Sequence, residues 1–162
     1  MEPIRYVERL NAFYRSQGFS PYKWSVYDTA PLTPLTKPLS QCRVSLLTSG
    51  GVSCQNVPPF NPLARNDLRV DAIPQETPAD FFVITDAYYN HQDADRDINC
   101  IFPLERLREL TAEGVIGEVA PRHYSGFMGR TYTRSAVLTE AAPALARRLR
   151  QEGVDVFVLV PA

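Results

Sequence analysis

The chain has few cysteines and no long apolar run. Three cysteines occur in 162 residues, and their odd number and wide spacing fit neither a disulfide framework nor a zinc-binding motif. No apolar stretch approaches the roughly 20 residues that a transmembrane helix requires, and the first residues lead into no apolar segment of a signal peptide. We therefore predict a cytoplasmic protein that keeps its thiols reduced and has no membrane partner.

An excess of charge of one sign is also missing. The formal net charge is −1 at pH 7, which creates no electrostatic field that would attract nucleic acid or an anionic membrane. Hydrophobic residues make up 44% of the chain and charged residues 22%, which is typical of soluble globular proteins. Nucleic acid is therefore not among the predicted partners.

Proline, by contrast, is abundant. The chain contains 14 prolines, which cluster between Pro21 and Pro78 and indicate long ordered loops. The length suits one domain with a core of its own. We predict a single α/β domain over residues 1–162 with a proline-rich, irregular N-terminal third, and this domain could be the N-terminal part of a longer protein.

Hydrophobic periodicity predicts an alternation of strands and helices. The predicted elements are a helix from Ile4 that ends at Gly18, strands at Arg43–Thr48, Leu68–Ile73, Phe81–Thr85 and Val154–Val160, helices at Pro103–Gly114 and Glu140–Glu152, and a loop from Gly117 to Gly129. Short apolar strands separated by helices are typical of parallel sheets that are covered on both faces. The predicted fold is a three-layer α/β fold with a mostly parallel sheet of four or five strands and helices on both faces.

The first candidate site is the turn Ser49–Gly50–Gly51, which follows a predicted buried strand. Glycines at this place let a ligand approach the backbone, whose free N–H groups can hold an anion. The turn lacks both the Gly-x-Gly-x-x-Gly pattern and the phosphate-loop pattern, so a plain tight turn is the alternative. We predict that Ser49, Gly50 and Gly51 bind substrate.

The second candidate site is the polar segment Asp86–Asn99, which leaves the end of another predicted strand. Its carboxylates and the imidazole of His91 suit ligation of a hard cation or acid–base chemistry. The spacing does not match a calcium-binding loop, and a solvated loop with Asx-turns is the alternative. We predict that Asn90 and His91 bind substrate, and we predict no resident metal.

The third candidate site is the segment His123–Gly129. Its histidine and serine are two residues apart, but the nucleophile-elbow pattern Gly-x-Ser-x-Gly is broken. The histidine could bind a substrate carboxylate or hydrogen-bond to the backbone. We predict that His123 and Tyr124 are catalytic and that Ser125 binds substrate.

The last predicted strand lies next to the end of the sequence. In open α/β sheets the chemistry takes place just beyond the carboxyl ends of the strands. A thiol or selenol at such a strand end, facing a helix N-terminus, is stabilised as its anion. Two expectations follow: the strand is a plain C-terminal element, or a reactive residue of a longer protein follows Ala162.

Several segments occur in the same order as in a known protein family. They are Cys42–Val52, Pro58–Phe60, Asp93–Asn99, Phe102–Leu110, Glu113–Gly117 and His123–Gly129. On these segments the chain resembles the selenoprotein B family of the glycine, sarcosine, betaine and D-proline reductases, and above all its short, D-proline-reductase-like members. The resemblance covers most of the chain from about Leu39 onward.

This resemblance implies a redox protein that cleaves a C–N bond reductively. The reactive group would be a selenocysteine, or a cysteine in its place, directly after the last strand. Because the selenocysteine codon is ordinarily read as a stop, the resemblance predicts that Ala162 precedes such a codon and that this chain alone is inactive.

The resemblance also implies a substrate and partners. The substrate would be a small, amino-acid-like molecule, activated by a pyruvoyl group on a partner subunit. The partners would be other reductase subunits or a small thiol-redox protein. The exposed edge of a C-terminal strand would in addition favour a homo-oligomer.

The chain departs from the family pattern at Ser53, Asp86 and Tyr88, where the family often has histidine. These departures remove acid–base groups, so two alternatives stay open. One is a non-catalytic binding or assembly module with the same fold. The other is a metal-dependent hydrolase that uses His91, His123 and the carboxylates of the acidic segment.

Overall fold

The computed structural model describes residues 3–22, 24–30 and 33–162. Pro31, which belongs to the predicted proline-rich stretch, lies outside these residues. The chain divides into two compact units, Met1–Pro34 and Leu35–Ala162, and each is described by itself. The prediction of a single domain over the whole chain stays a prediction.

The first unit contains helix α1, Tyr6–Ser16. After Gly18, whose positive φ of 79° permits the turn that ends the helix, the chain becomes irregular. No described residue between Gly18 and Leu39 lies in a helix or strand, as predicted for the proline-rich stretch. Within this unit the ring of Trp24 packs edge-to-face against Tyr6 at 5.7 Å, so aromatic contacts hold the irregular segment to α1.

The second unit contains seven strands and four helices among the described residues. The strands are β1 (Arg43–Thr48), β2 (Val52–Cys54), β3 (Val70–Pro74), β4 (Phe82–Ile84), β5 (Glu118–Val119), β6 (Arg122–Gly126) and β7 (Val156–Val160), and the helices are α2 (Gln92–Arg96), α3 (Leu104–Ala112), α4 (Arg134–Ala136) and α5 (Ala142–Gln151). A π-helical turn, Val137–Ala141, joins α4 to α5. Short 3₁₀ helices lie at Leu39–Gln41, Ala79–Phe81 and Ile98–Cys100.

The main sheet has five strands and is mostly parallel, as predicted. Strand β1 lies in its interior: β7 pairs with it in parallel along nearly its whole length, and β5 and then β6 pair in parallel with its other side. Strand β3 is the exception, because it runs antiparallel to β6 at one edge. Within the described residues β7 pairs with β1 alone, so β7 forms the other edge.

One predicted strand lies in an unexpected sheet, and one predicted loop was wrong. The strand predicted at Phe81–Thr85 is present as β4, but it lies outside the main sheet, because β2 follows the turn at Gly50–Gly51 and pairs with β4 in a separate antiparallel sheet. The loop predicted from Gly117 to Gly129 contains β5 and β6. Pairing with β1 and β3 gives this polar, glycine-containing segment its extended conformation.

Helices cover both faces of the main sheet, as predicted. On one face, called the α3 side, Val44 and Leu46 pack with Leu104 in the larger core cluster. On the other face, called the α5 side, Leu47 and Tyr124 pack against Leu145 and Phe157. The alternation of β1 side chains between the two clusters follows from the strand period of two residues. No helix in the described parts of the chain has both the length and the apolarity that a bilayer crossing requires.

Candidate functional site

The carboxyl ends of the parallel strands β1 and β7 lie side by side, at the end of the main sheet that is called the carboxyl edge below. The Ser49 amide donates to the carbonyl of Val160 at 3.3 Å. The Ser49 hydroxyl accepts from the amide of Ala162 at 3.2 Å and lies 3.4 Å from the carbonyl oxygen of the same residue. The turn after β1 is therefore joined to the two residues that follow β7, and this edge is the position that the strand arrangement assigns to a ligand.

The two glycines of the turn are required by close approaches of the chain to itself. Gly51 has a φ of +67°, and a Cβ atom built on it would lie 2.6 Å from the carbonyl oxygen of Thr85. A Cβ on Gly50 would lie 3.1 Å from the hydroxyl oxygen of Tyr89 and 3.2 Å from the Cβ of Ala162. The glycines thus bring β1, the segment after β4 and the end of β7 into contact.

Tyr89 connects the acidic segment to this turn. Its hydroxyl donates to the carbonyl of Gly50 at 2.8 Å. Burial, together with the nearby carboxylates of Asp86 and Asp95, raises the pKa of Tyr89 to about 12, so the hydroxyl keeps its proton at neutral pH. The sequence interpretation missed this residue, although an aromatic residue that adjoins Asn90 and follows a strand end was an available signal.

Asn90 and His91 are anchored within their own segment. The side-chain oxygen of Asn90 accepts from the amide of Gln92 at 3.2 Å, which is the Asx-turn that was the alternative reading. The His91 Nδ1 atom lies 2.8 Å from a carboxylate oxygen of Asp95. The ring of His91 also packs against the ring of Tyr89, with centroids 5.8 Å apart. The pair therefore adjoins the turn through Tyr89, and its role in substrate binding stays a prediction.

His123 is the second residue of β6; its side chain lies on the α3 side and is fully buried. Burial, with a contribution from the charge of Arg108, lowers the pKa of His123 from 6.5 to about 4, so its imidazole is neutral at pH 7. The Leu46 amide donates to His123 Nδ1 at 3.2 Å, which assigns the proton to Nε2. Pro121 lies between β5 and β6, where the pairing of this segment with β1 is interrupted. The bond from Leu46 to His123 connects β1 to β6 at this gap.

Tyr124 lies on the opposite face of β6. It is fully buried on the α5 side, and its hydroxyl donates to a carboxylate oxygen of Glu152 at 3.1 Å. Burial, and then the charge of Glu152, raises its pKa to about 12. His123 and Tyr124 are adjacent in the chain, yet the sheet separates their side chains.

Ser125 shares a face with His123 and is also fully buried. Its hydroxyl finds no hydrogen-bond partner among the described residues. Of the predicted residues, the structure thus brings Ser49, Gly50 and Gly51 together at the edge, with the segment of Asn90 and His91 beside them. His123, Tyr124 and Ser125 belong to the interior of the sheet instead, and their predicted roles stay predictions.

An apolar groove of about 620 Å³ opens on the α5 side beside the same edge. Phe127 and Leu145 form part of its wall, and Leu159 and Pro161 form another part. Phe127 has a φ of +54°, which is rare for a bulky residue and indicates local strain. The edge therefore combines a polar turn with an apolar flank.

The metal-dependent hydrolase receives no support from the described residues. Among them, no group of three or more His, Cys, Asp or Glu side chains is arranged to hold a metal ion. His91 lies against Asp95, whereas His123 is buried on the α3 side of the sheet. The two histidines that this alternative needs are thus bound to different partners in different elements.

Comparison with known proteins relates the chain to amino-acid reductases. The family described as glycine/sarcosine/betaine reductase selenoprotein B (GRDB) matches residues 7–162. The D-proline reductase subunit gamma of Acetoanaerobium sticklandii is 35% identical over 127 residues, which cover 78% of this chain and 51% of that protein. The glycine reductase complex component B subunit gamma of Carboxydothermus hydrogenoformans is 29% identical over 96% of this chain and 36% of that protein.

A further relative has the same pattern of coverage. The sarcosine reductase complex component B subunit beta of Peptoclostridium acidaminophilum is 29% identical over 85% of this chain and 32% of that protein. The chain therefore spans about half of the length of the D-proline reductase relative and about a third of the length of the other two. No solved structure matches the chain significantly.

Proposed function

The chain belongs to the glycine/sarcosine/betaine reductase selenoprotein B family, and from this premise we propose that it is part of a reductase subunit that cleaves a C–N bond of a small amino-acid-like substrate. The reactive residue in this proposal is a selenocysteine or cysteine that follows Ala162. The relatives are named as subunits of D-proline, glycine and sarcosine reductases, which supports this class of substrate.

The observation that carries the proposal is the position of Ala162. Its amide is bonded to Ser49, and its Cβ lies 3.2 Å from the position that a Gly50 Cβ would occupy. A residue after Ala162 would therefore emerge beside the Ser49–Gly51 turn, at the edge where open α/β sheets bind ligands. The residues present are sterically suited to such a neighbour, because Gly50 leaves room that a side chain would fill.

Such a residue would supply a nucleophile, since a selenolate or thiolate attacks carbon or an activated amine and a nearby thiol then resolves the product. A pyruvoyl group on a partner subunit would activate the C–N bond, and other subunits or a small thiol-redox protein would supply electrons. In this chain, the protonated Tyr89 hydroxyl holds the Gly50 carbonyl and fixes the turn. Ser49, Gly50 and Gly51 border the substrate, with Asn90 and His91 behind Tyr89.

Reading the gene beyond Ala162 is the first test. We expect an in-frame continuation whose first codons specify selenocysteine or cysteine; a gene without such a continuation would contradict the proposal and favour the non-catalytic module. In the longer chain, a cysteine at the reactive position should then be alkylated by iodoacetamide more quickly than Cys100, which is free and exposed. The Tyr89→Phe variant should alter that rate, whereas Tyr132→Phe, on an exposed tyrosine, should not.

A further inference from the structure

A cleft separate from the carboxyl edge lies beside β4. It has a volume of about 680 Å³ and runs between β4 and the segment that contains α2 and the 3₁₀ helix after it. Strand β4 pairs with β2 on one side only. The free side of β4 faces this cleft, which is called the β4 cleft below.

The backbone of β4 presents unpaired polar groups to the β4 cleft. The Thr85 amide donates to the Gly51 carbonyl at 2.9 Å, which fixes the alternation of the β2–β4 ladder. In an antiparallel pair, the residues between the hydrogen-bonded positions direct their N–H and C=O groups away from the partner strand. Those residues are Phe82 and Ile84, and no hydrogen bond to their backbone groups is formed by other described residues outside the ladder.

The walls of the β4 cleft carry an excess of negative charge. Four carboxylates and one guanidinium line it: Asp80, Asp95, Asp97, Glu105 and Arg96. Arg96 forms an ion pair with Asp93, which lies outside the lining, at 3.4 Å. Its guanidinium therefore does not pair with the carboxylates of the cleft. Hydrogen bonds from Asn99 lower the pKa of Asp97, which keeps that carboxylate ionised at neutral pH. An occupant of the cleft therefore needs positive charge.

Exposed apolar surface adds to this arrangement. Val83 is 38% exposed on the outer face of the β2–β4 sheet, whereas Phe82 and Ile84 pack into the core. Two-stranded sheets are marginal by themselves, and an exposed strand edge is a template for a further strand. An extended peptide that adds to such an edge gains main-chain hydrogen bonds and uses alternate side chains for specificity.

We propose that the β4 cleft binds an extended, lysine- or arginine-bearing segment of another polypeptide, which adds to β4 as a third strand. The segment pairs with the free backbone groups of Phe82 and Ile84. Its basic side chains lie against the four carboxylates of the lining, Asp80, Asp95, Asp97 and Glu105. This proposal uses no residue of the Ser49–Gly51 turn and does not depend on the reductase chemistry; in the described part of the chain the two surfaces share only the pair of Asp95 with His91.

The test uses a fluorescein-labelled, end-blocked five-residue peptide of alternating lysine and valine, titrated with the full chain. Fluorescence anisotropy measures binding, and amide NMR shifts locate it. We expect saturable binding that weakens with salt and shifts the amides of Phe82 and Ile84. One of two N-methylated versions of the peptide, methylated on alternate amides, should lose binding, since only one set of amides faces the strand.

Variants of the chain separate charge from strand addition. The double variant Asp80→Asn, Glu105→Gln should weaken binding by about threefold to tenfold, as expected for two exposed charge pairs. The control Glu140→Gln, which removes a carboxylate outside the cleft, should leave binding unchanged. The proposal is overturned if the peptide does not bind at millimolar concentration. It is equally overturned if a glutamate–valine peptide or both N-methylated peptides bind as well as the original, or if the amide shifts fall elsewhere.

Discussion

Replacing Gly51 by alanine should destabilise the second unit by about 1.5 to 3.5 kcal/mol. The residue has a φ of +67°, and an alanine in the left-handed region costs about 1 to 2 kcal/mol. The new Cβ would lie 2.6 Å from the carbonyl oxygen of Thr85, so the backbone of β4 must move. That movement lengthens the bond from the Thr85 amide to the Gly51 carbonyl, and losing a bond of this kind costs about 0.5 to 1.5 kcal/mol.

Gly114→Ala is the matched control for this substitution. Gly114 also has a positive φ, +71°, but nothing lies within 4 Å of its hypothetical Cβ, so it carries only the conformational cost. Urea unfolding followed by far-ultraviolet circular dichroism measures both variants. We expect Gly51→Ala to lose about 0.5 to 1.5 kcal/mol more of the free energy of unfolding than Gly114→Ala, which is the worth of the hydrogen bond. Equal losses would show that the approach of Thr85 to the turn is not as close as described.

Two further predictions concern the interior and the edge of the main sheet. Because the pKa of His123 falls from 6.5 to about 4 on folding, the unfolded chain binds a proton first as the pH drops. The free energy of unfolding should therefore decline by up to about 3 kcal/mol between pH 6.5 and 4. In His123→Asn, whose amide oxygen can still accept from Leu46, urea titrations should give a flatter pH profile; an unchanged slope would refute the buried neutral imidazole. The isolated chain should also self-associate through β7, whose Leu159 is 65% exposed. Light scattering after size-exclusion chromatography should show oligomers that Leu159→Lys dissociates, and a monomeric wild-type chain would disprove the association.

Much of the fold could be predicted because the decisive strands, β1 and β7, are rich in apolar residues. Strand β1 matches its prediction at Arg43–Thr48, and β7 begins within two residues of its predicted start. Strand β6 could not be predicted, since its residues Arg122–Gly126 show no alternation and only Tyr124 among them has a high β-propensity. Residues that are distant in sequence stabilise β6. For example, the Ser45 hydroxyl donates to the Arg122 carbonyl at 2.8 Å.

The candidate site was predictable only in part, for a related reason. The Ser49–Gly51 turn follows an obvious strand, so its location at the sheet edge could be inferred from sequence. The contact of Tyr89 with Gly50 depends on how the segment after β4 folds back over the turn, which no local pattern encodes. His123 was predicted to be catalytic from its residue type, which gives no information about burial. In the structure it is buried, and its ring accepts the hydrogen bond of the buried Leu46 amide.

The interior position of β1 has a consequence for the order of folding. The backbone amide of Arg43 is bonded to the carboxylate of Asp155, 112 residues away, and its other partners, β5 and β6, are also distant in the chain. Closing loops of this length before any pairing energy is gained makes such topologies slow to fold. During synthesis, β1 has no partner strand of the main sheet until β5, β6 and β7 have left the ribosome. A chaperone that shields Val44–Leu47 would therefore raise the yield of folded protein more than one that acts on later segments.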